Sequence, residues 1–392
     1  MILVINCGSS SLKLAVFNEQ LENTASGLAE RLGQAGATAR FKTPDTEVTL
    51  PAGADHQQAL EAMVDTLRSR GLLSGTPLAI GHRVVHGGET FREAALIDDQ
   101  VQQAIEDCAS LAPLHNPVNL TGIRATRALF ADVPQVAVFD TAFHHTLPEH
   151  AYRYALPDRF YQEWGVRRYG FHGTSHYFML SETARLLDRS PSTVSLISAH
   201  LGNGCSVTAI RDGDSVDTSM GLTPLEGLVM GTRSGDVDPG LFDFLRNKGV
   251  SGEEVHRILN NESGLLGLSG ESNDMRTLEE LAASGNQQAA LAIDVFCFRL
   301  ARYIGAMCAS LERLDALVFT GGIGENSANV RARTLAHLQL MGFSLDDSRN
   351  QQHGRNSNHD ISDDQSRFPV MVIPTNEERV IAGEALKAAR SN

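Results

Sequence analysis

One strand–turn–strand pattern occurs twice in the chain, once at its start and once near its middle. In the first copy, apolar runs at 3–5 and 12–17 flank a small polar turn. The second copy has apolar runs at 195–199 and 206–210 around the turn HLGNGC. Short apolar runs interrupted by glycine and serine are typical of β-hairpins. The repeat therefore predicts two related halves, each of which begins with the same hairpin.

The alignment of the two turns sharpens this prediction. When Asn6 is placed on His200, Gly8 falls on Gly202 and Val16 falls on Ile210. A length of 392 residues also suits two domains better than one core. With 42% hydrophobic and 20% charged residues, the composition is that of a globular protein.

The charge and the cysteines exclude several classes of protein. A net charge of -14 argues against nucleic-acid partners and against anionic membranes. The first residues read as a strand and not as a signal peptide, and no apolar run approaches the roughly 18 residues of a membrane span. The five scattered cysteines contain no CxxC pair, which indicates a reducing compartment. We expect a cytoplasmic protein with buried thiols.

Other segments predict the elements between and after the hairpins. Apolar residues recur at helical spacing over 60–67, and Gly71 is a plausible stop. A long apolar helix is expected over 289–311, followed by a strand over 316–320. The composition turns polar over 344–367, which predicts an exposed loop to which we assign no role. A strand over 370–373 and a terminal helix complete the chain.

Phosphate-binding signals lie outside the common motifs. The chain has no GxxxxGK[ST] and no GxGxxG after a strand. The turn 6–11 followed by Lys13 offers hydroxyls, backbone N–H groups and a cation, which suit a terminal phosphate. Arg83 lies inside a predicted strand that ends in a double glycine, and Arg233 is flanked by glycines. Several cations in glycine-rich turns of an acidic chain predict an anion site.

Taken together, these motifs resemble those of the acetate kinase family from Met1 to the terminal helix. The matching segments are NxGSSSxK from Asn6, HRVVHGGE from His82, FHGTSH from Phe171, HLGNG from His200, GTRSGD from Gly231, GGIGEN from Gly321 and TNEE from Thr375. The resemblance implies an α/β fold with two ribonuclease H-like domains, in which one βββαβαβα core is duplicated, hinged around a nucleotide cleft. The expected domains are 1–143 with 377–392, and 144–376, in a homodimer.

The resemblance also implies the role of each matching residue. Asp140, His172 and Arg233 would be catalytic, and Arg83, Val85, Leu114 and Pro224 would bind the carboxylic acid. Asn6 and Glu377 would hold Mg²⁺, with Mn²⁺ as an alternative. The residues implied for ATP or ADP are Lys13, His200, Leu201, Gly202, Asn203, Gly204, Asp274, Met275, Arg276, Gly322, Ile323, Gly324, Glu325 and Asn326. Cys7, directly after Asn6, is a minor departure from the family pattern, and we expect its thiol, close to the site, to make activity sensitive to oxidation.

The implied reaction is a reversible, direct in-line phosphoryl transfer from ATP to acetate, giving acetyl phosphate and ADP. Because a carboxylic acid is already ionised at pH 7, it needs no general base. We therefore expect Asp140 to orient an arginine or to organise Mg²⁺ and its water, and not to accept a proton. The cations and Mg²⁺ would overcome the repulsion between two anions.

Three other functions stay open at this stage. Propionate or butyrate could replace acetate, because one methylene changes binding by only about 1 kcal/mol. A slow ATPase used as a conformational switch would share the fold but would not need Arg83 and Arg233. A zinc hydrolase could use the pairs His172/His176 or His82/His86, although no HExxH and no cysteine ligands accompany them.

Overall fold

The structure is a computed structural model that describes residues 1–113 and 115–391. The chain divides into two compact units. The first comprises Met1–His145 and Asn376–Asn392, and the second comprises Thr146–Thr375. No helix of the described residues is long and apolar enough to cross a membrane.

Each unit contains one β-sheet. The strands of the first are β1 (Ile2–Gly8), β2 (Ser11–Phe17), β3 (Asn23–Glu30), β4 (Thr38–Thr43), β5 (Asp45–Val48), β6 (Ala79–Val84), β7 (Ala95–Leu96) and β8 (Gln135–Phe139). The strands of the second are β9 (Leu196–Leu201), β10 (Cys205–Arg211), β11 (Asp214–Thr218), β12 (Ala316–Thr320) and β13 (Val370–Val372).

Helices cover much of the remaining chain. In order they are α1 (His56–Ser69), α2 (Asp99–Asp107), α3 (Asn116–Leu129), α4 (Glu149–Tyr152), α5 (Arg159–Trp164), α6 (Gly173–Leu186), α7 (Gly240–Asn247), α8 (Gly252–Asn261), α9 (Gly264–Ser269), α10 (Met275–Ala283), α11 (Gln287–Cys308), α12 (Gly321–Asn326), α13 (Ala328–Ala336), α14 (Asp347–Gln351) and α15 (Glu377–Arg390).

The order of the five strands in the second sheet repeats that of five adjacent strands in the first, β3-β2-β1-β6-β8. The first runs β5-β4-β3-β2-β1-β6-β8-β7 and the second runs β11-β10-β9-β12-β13. In both, an antiparallel hairpin leads into strands that run parallel to its first strand. The repeated hairpins predicted from the sequence are confirmed, with Asn6 paired to Lys13 in the first and Leu201 to Cys205 in the second.

Side chains of β1 alternate between the two faces of the sheet, and each face packs into a different buried cluster of the first unit. Leu3 and Ile5 belong to a buried cluster with residues of α1 and α3, whereas Ile2 and Val4 belong to a second cluster, on the other face, with residues of α15. Gly81 allows α15 to lie directly on β6, because a Cβ there would come within 2.6 Å of Ile381 Cγ2. The terminal helix is thereby part of this unit, and Glu377 begins it.

The predicted stop of α1 is confirmed. Gly71 has a φ of +69°, and its N–H donates to the Arg68 carbonyl, while the Leu72 N–H donates to the Leu67 carbonyl. These two bonds form a Schellman cap, which favours glycine because of the left-handed backbone. The strand predicted over 316–320 is β12. The helix predicted over 289–311 ends earlier, at Cys308.

The prediction of an exposed loop over 344–367 is wrong. The segment contains α14, and its Ile361 and Asn350 are buried. Asp360 forms a β-bridge with Met371 of β13. The polar composition predicted exposure, but Asn350 is buried, and its side chain forms hydrogen bonds with Arg331 and with the Ala328 carbonyl.

Candidate active site

Arg83 and Asp140 form a bidentate ion pair in the first unit. Arg83 lies on β6, and Asp140 follows the end of the neighbouring parallel strand β8. The Asp140 N–H donates to the Val84 carbonyl at 2.9 Å, which fixes the start of its side chain. Arg83 donates from Nε to Oδ1 at 3.0 Å and from Nη2 to Oδ2 at 2.6 Å. Such a fork holds the guanidinium plane in one orientation.

Burial and charge act in opposite directions on this pair. The Asp140 side chain is 1% exposed and that of Arg83 is 24% exposed. Burial raises the pKa of Asp140, and the positive charge of Arg83 opposes this rise. For Arg83, burial favours the neutral form, but Asp140, Glu377 and Glu378 outweigh it and raise the pKa. The guanidinium therefore stays a cation.

Two asparagines of α3, which the sequence did not single out, support the backbone after Arg83. Asn119 accepts from the Val85 N–H at 3.1 Å and donates to the Cys7 carbonyl at 3.0 Å. Asn116 accepts from the His86 N–H and donates to the His86 carbonyl. Both side chains are buried. Asn119 joins strand β1 to the backbone that follows β6, whereas Asn116 holds the His86 backbone. The spacing HNPVN is their signal in the sequence.

The expected metal residues lie at this end of the first sheet. Asn6 is the cross-strand partner of Lys13, whose Nζ forms an ion pair with Glu378. Glu377 precedes Glu378 and lies close enough to raise the pKa of Asp140. An amide oxygen and a carboxylate are donors that suit Mg²⁺, which usually keeps several waters. The residue types fit this ion.

Three further residues singled out in the sequence are Val85, Leu114 and Cys7. Val85 is buried directly after β6, and Leu114 lies outside the described residues. Cys7 is buried, and a Cβ on Gly122 would come within 2.3 Å of its Sγ. Burial raises its pKa to about 12. Because the thiolate is the form that oxidises readily, the structure argues against the expected sensitivity to oxidation.

Four motifs of the second unit meet in one hydrogen-bond network. The centroids of the His172 and His200 rings lie 4.3 Å apart, and His200 Nδ1 lies 2.8 Å from Ser175 Oγ. Ser175 Oγ contacts Thr375 Oγ1 at 3.0 Å. Glu325 Oε1 accepts from the Thr375 and Gly321 N–H groups, each at 3.0 Å. Glu325, expected to hold ATP, thus links the backbone of Gly321, the residue after β12, to the backbone of Thr375.

Arg233 and His172 border one small space. A Cβ built on Gly204 would lie 3.4 Å from His172 Nε2 and 3.5 Å from Arg233 Nη1. Arg233 Nη1 also donates to the Pro224 carbonyl at 3.0 Å, and the Gly231 N–H donates to the Asn203 carbonyl at 2.9 Å. Because Gly204 has no side chain, a ring nitrogen of His172 and the guanidinium of Arg233 come close to the same point beside its backbone, and a cation there suits an anion.

A cavity of about 620 Å³ opens in the same unit and has the size of a small-molecule site. Eight of the residues expected to bind ATP line it, namely Gly202, Asn203, Asp274, Met275, Arg276, Gly322, Ile323 and Asn326. Asn273, Glu279 and Ser327 also line it and were missed in the sequence. His200, Leu201, Gly204, Gly324 and Glu325 do not line it, and Lys13 belongs to the first unit.

A buried arginine connects this cavity to the segment 344–367. Arg331 of α13 is fully buried and donates from Nη1 to the Gly324 carbonyl at 2.7 Å. It also donates to Asn350 Oδ1 and to the Asn350 carbonyl, each at 2.8 Å. Asn350 Nδ2 donates to the Ala328 carbonyl at 2.9 Å. Asn350 therefore supports the glycine-rich helix α12 that lines the cavity.

The histidines considered for zinc make hydrogen bonds inside the protein. His82 Nε2 lies 2.8 Å from Gln135 Oε1, and burial lowers the pKa of this ring to about 4. His86 Nδ1 accepts from the Gly88 N–H at 3.0 Å. His176 lies between Ser198 and Ser206, with one ring nitrogen against each hydroxyl. These contacts give each ring a structural role.

Comparisons with known proteins cover nearly the whole chain. Residues 1–383 match the model of the Acetokinase family. An acetate kinase of Ectopseudomonas mendocina is 54% identical, and one of Pseudomonas aeruginosa (strain LESB58) is 55% identical, each with 98% of both chains covered.

Solved structures give the same result. A propionate kinase from Francisella tularensis has a TM-score of 0.94 and 44% identity, covering 98% of this chain and 99% of its own. An acetate kinase from Porphyromonas gingivalis has a TM-score of 0.90 and 39% identity, with 98% of both chains covered. These matches define a kinase of the two-domain α/β class, which confirms the predicted fold class. The chain belongs to the acetokinase family.

We expect Asn350→Ala to weaken ADP binding, because it removes the acceptor that helps Arg331 hold the Gly324 carbonyl. A charge-assisted hydrogen bond contributes about 1.5–3 kcal/mol, or roughly 10- to 150-fold in Kd. Because Arg331 keeps its bond to the carbonyl of residue 350, we expect the lower end of this range. Isothermal titration calorimetry measures this change. The matched control is Asn356→Ala, on the exposed part of the same segment. An unchanged Kd in Asn350→Ala, with a normal thermal melt, would contradict the proposed support.

Proposed function

We propose that this chain is an acetate kinase that transfers the γ-phosphoryl group of ATP directly to the carboxylate of acetate, reversibly, giving acetyl phosphate and ADP. The observation that carries the proposal is Arg83, a cation in a half-buried position whose orientation is set by Asp140. The acetate kinases among its relatives, at 54–55% identity, support the choice of substrate.

The carboxylate-binding group is Arg83. Its Nε and one Nη2 hydrogen are engaged by Asp140, so a substrate carboxylate would approach the edge that carries Nη1. Because acetate is already an anion at pH 7, the task of the site is attraction and orientation. Asp140 acts by holding Arg83, and the reaction requires no proton transfer to it. Val85, Leu114 and Pro224 would form the apolar surroundings of the methyl group.

The phosphoryl-binding groups are His172 and Arg233, whose donors border the space beside Gly204. Donors fixed around the transferring group stabilise the charge that it carries in the transition state. Asn6 and Glu377 would hold Mg²⁺, which would neutralise charge on the nucleotide phosphates. Lys13, now paired with Glu378, would turn to a phosphate when nucleotide binds. The cavity lined by Gly322, Ile323 and Arg276 would hold the nucleoside.

The proposal extends to the state of the protein. The two compact units would be the two domains, the first binding the carboxylate and the second binding ATP. We place the enzyme in the cytoplasm as a homodimer; all five cysteines are free thiols, which suits a reducing compartment. Propionate is the second candidate substrate, because a similar structure is that of a propionate kinase.

The purified protein, mixed with ATP, Mg²⁺ and acetate, should form an acyl phosphate that hydroxylamine traps as hydroxamate. Comparing kcat/KM for acetate, propionate and butyrate then ranks the substrates. A preference for propionate would select the second candidate. Nucleotide hydrolysis without hydroxamate from any of the three acids would exclude both candidates and favour the conformational-switch ATPase.

Arg83→Ala should raise KM for the carboxylate far more than KM for ATP. A charge-assisted hydrogen bond contributes about 1.5–3 kcal/mol, so the expected increase is roughly 10- to 150-fold. Arg124→Ala, which removes an exposed arginine of the same unit, is the control. Because Arg83→Ala also leaves a buried carboxylate unpaired, the double variant Arg83→Ala/Asp140→Asn should recover stability but not KM. A larger effect on ATP than on the carboxylate would remove Arg83 from the substrate site.

Asp140→Asn should lower kcat without changing the shape of the pH–rate profile. The amide keeps one acceptor for Arg83 but loses the fork, so orientation suffers while no essential ionisation is removed. Steady-state kinetics across pH measures this. If Asp140 accepted a proton during the reaction, the acidic limb of the wild-type profile would be missing in the variant.

A further inference from the structure

A row of four side chains leads from the core of the second unit to the phosphoryl-binding space. Ser198 Oγ lies 2.9 Å from His176 Nδ1, and His176 Nε2 lies 2.8 Å from Ser206 Oγ. Ser206 Oγ lies 2.9 Å from His172 Nδ1. Ser198, His176 and Ser206 are completely buried. Only the last ring, His172, is half-buried.

Counting protons leaves three arrangements of this row with neutral rings. Each hydroxyl has one hydrogen and each neutral imidazole has one N–H, so every contact needs one donor and one acceptor. In one arrangement, Ser206 accepts from both His176 Nε2 and His172 Nδ1, and its own hydrogen is left fully buried without an acceptor among the described residues, at a cost of about 1–3 kcal/mol.

The other two are an outward and an inward arrangement. In the outward arrangement, Ser198 donates to His176, His176 to Ser206, and Ser206 to His172 Nδ1. His172 then carries its hydrogen on Nε2. In the inward arrangement every donor is reversed, and the neutral His172 presents a lone pair at Nε2.

The Ser198 hydroxyl favours the outward arrangement. Within residues 1–113 and 115–391, the side-chain hydrogen bond of Ser198 is the one to His176. In the outward arrangement Ser198 uses its single hydrogen in that bond. In the inward arrangement it accepts instead, and its own hydrogen is left in a fully buried position without an acceptor. A buried donor without a partner costs about 1–3 kcal/mol.

The space beside His172 Nε2 gives the outward arrangement a function. Nε2 lies 3.4 Å, and Arg233 Nη1 3.5 Å, from the position of a Cβ on Gly204. The oxygens of a phosphoryl group only accept hydrogen bonds, so a lone pair at Nε2 would repel them and an N–H would bind them. We propose that Ser206, His176 and Ser198 are positioning residues that hold His172 in the Nε2–H tautomer, so that an uncharged ring donates to the transferring phosphoryl group.

The tautomers can be observed in the unaltered protein, with variants used only to assign the signals. In protein labelled with ¹⁵N-histidine, at mildly alkaline pH and without nucleotide, long-range ¹H–¹⁵N spectra distinguish protonated from unprotonated ring nitrogens. Signals of His172 and His176 are assigned by their loss in His172→Gln and His176→Gln. We expect both rings to carry the hydrogen on Nε2 and none on Nδ1. A hydrogen on Nδ1 of His172 would overturn the proposal. This measurement does not depend on activity, so it stands apart from the hydroxamate test of the proposed function on which the role rests.

Kinetics then tests whether the row matters for the reaction. Ser206→Ala should lower kcat roughly 10- to 100-fold, as removal of a hydrogen bond that orients a functional imidazole commonly does. KM for ATP should change little, and the His172 spectrum should show mixed tautomers. Ser206→Thr keeps the hydroxyl and should recover most of kcat and the single tautomer.

The matched control is Thr208→Val on the same strand. It removes a buried hydroxyl that contacts Thr218 Oγ1 at 2.8 Å and touches no imidazole. A similar loss of stability with unchanged kcat is expected. Equal falls in kcat for Thr208→Val and Ser206→Ala would reduce Ser206 to a structural role. A wild-type kcat in Ser206→Ala would also contradict the proposal.

Discussion

The site of the first unit depends on a guanidinium that is held in one orientation next to a buried carboxylate. Arg83 can do this because β6 and β8 are parallel neighbours, so that Asp140 emerges beside it and bonds the Val84 carbonyl. Breaking such a pair would leave an uncompensated charge in the protein interior, at a cost of about 3–5 kcal/mol. The strand order and the buried Asn119, which joins Cys7 to Val85, are thus requirements of the site as much as of the core.

Local patterns were enough to predict the elements that carry the site. The hairpins, the strand with Arg83 and the position of Asp140 after a strand follow from alternating apolar residues interrupted by glycine. The pairing of Arg83 with Asp140 joins residues 57 apart and depends on which strands are neighbours. No local pattern contains that information. Asn119 was missed because an asparagine near the start of a helix looks like an ordinary polar residue. Its partners, Val85 and Cys7, are also distant from it in the sequence.

The segment 344–367 shows why composition fails for buried polar groups. Asn350 looks like the exposed residues around it, yet it is buried because Arg331 needs acceptors. Arg331 donates hydrogen bonds to two carbonyls and to the side-chain amide oxygen of Asn350, and it contacts the His353 ring. Burial lowers the pKa of Arg331 to about 10. It remains a cation at pH 7. Neutral acceptors of this kind carry no charge pattern that would mark them in a sequence.

The two units orient their functional groups by different means, and the difference follows from the ligands. In the first unit a carboxylate, Asp140, holds Arg83, the cation proposed to bind the substrate anion, and the ion pair as a whole is close to neutral. In the second unit, Ser206 touches His172 where many enzymes would use a carboxylate. A negative charge there would oppose the charge of a phosphoryl group close by, whereas a hydroxyl fixes the ring without adding charge. Directional hydrogen bonds from neutral groups therefore suit the proposed phosphoryl-binding group His172, and an ion pair suits the proposed carboxylate-binding group Arg83.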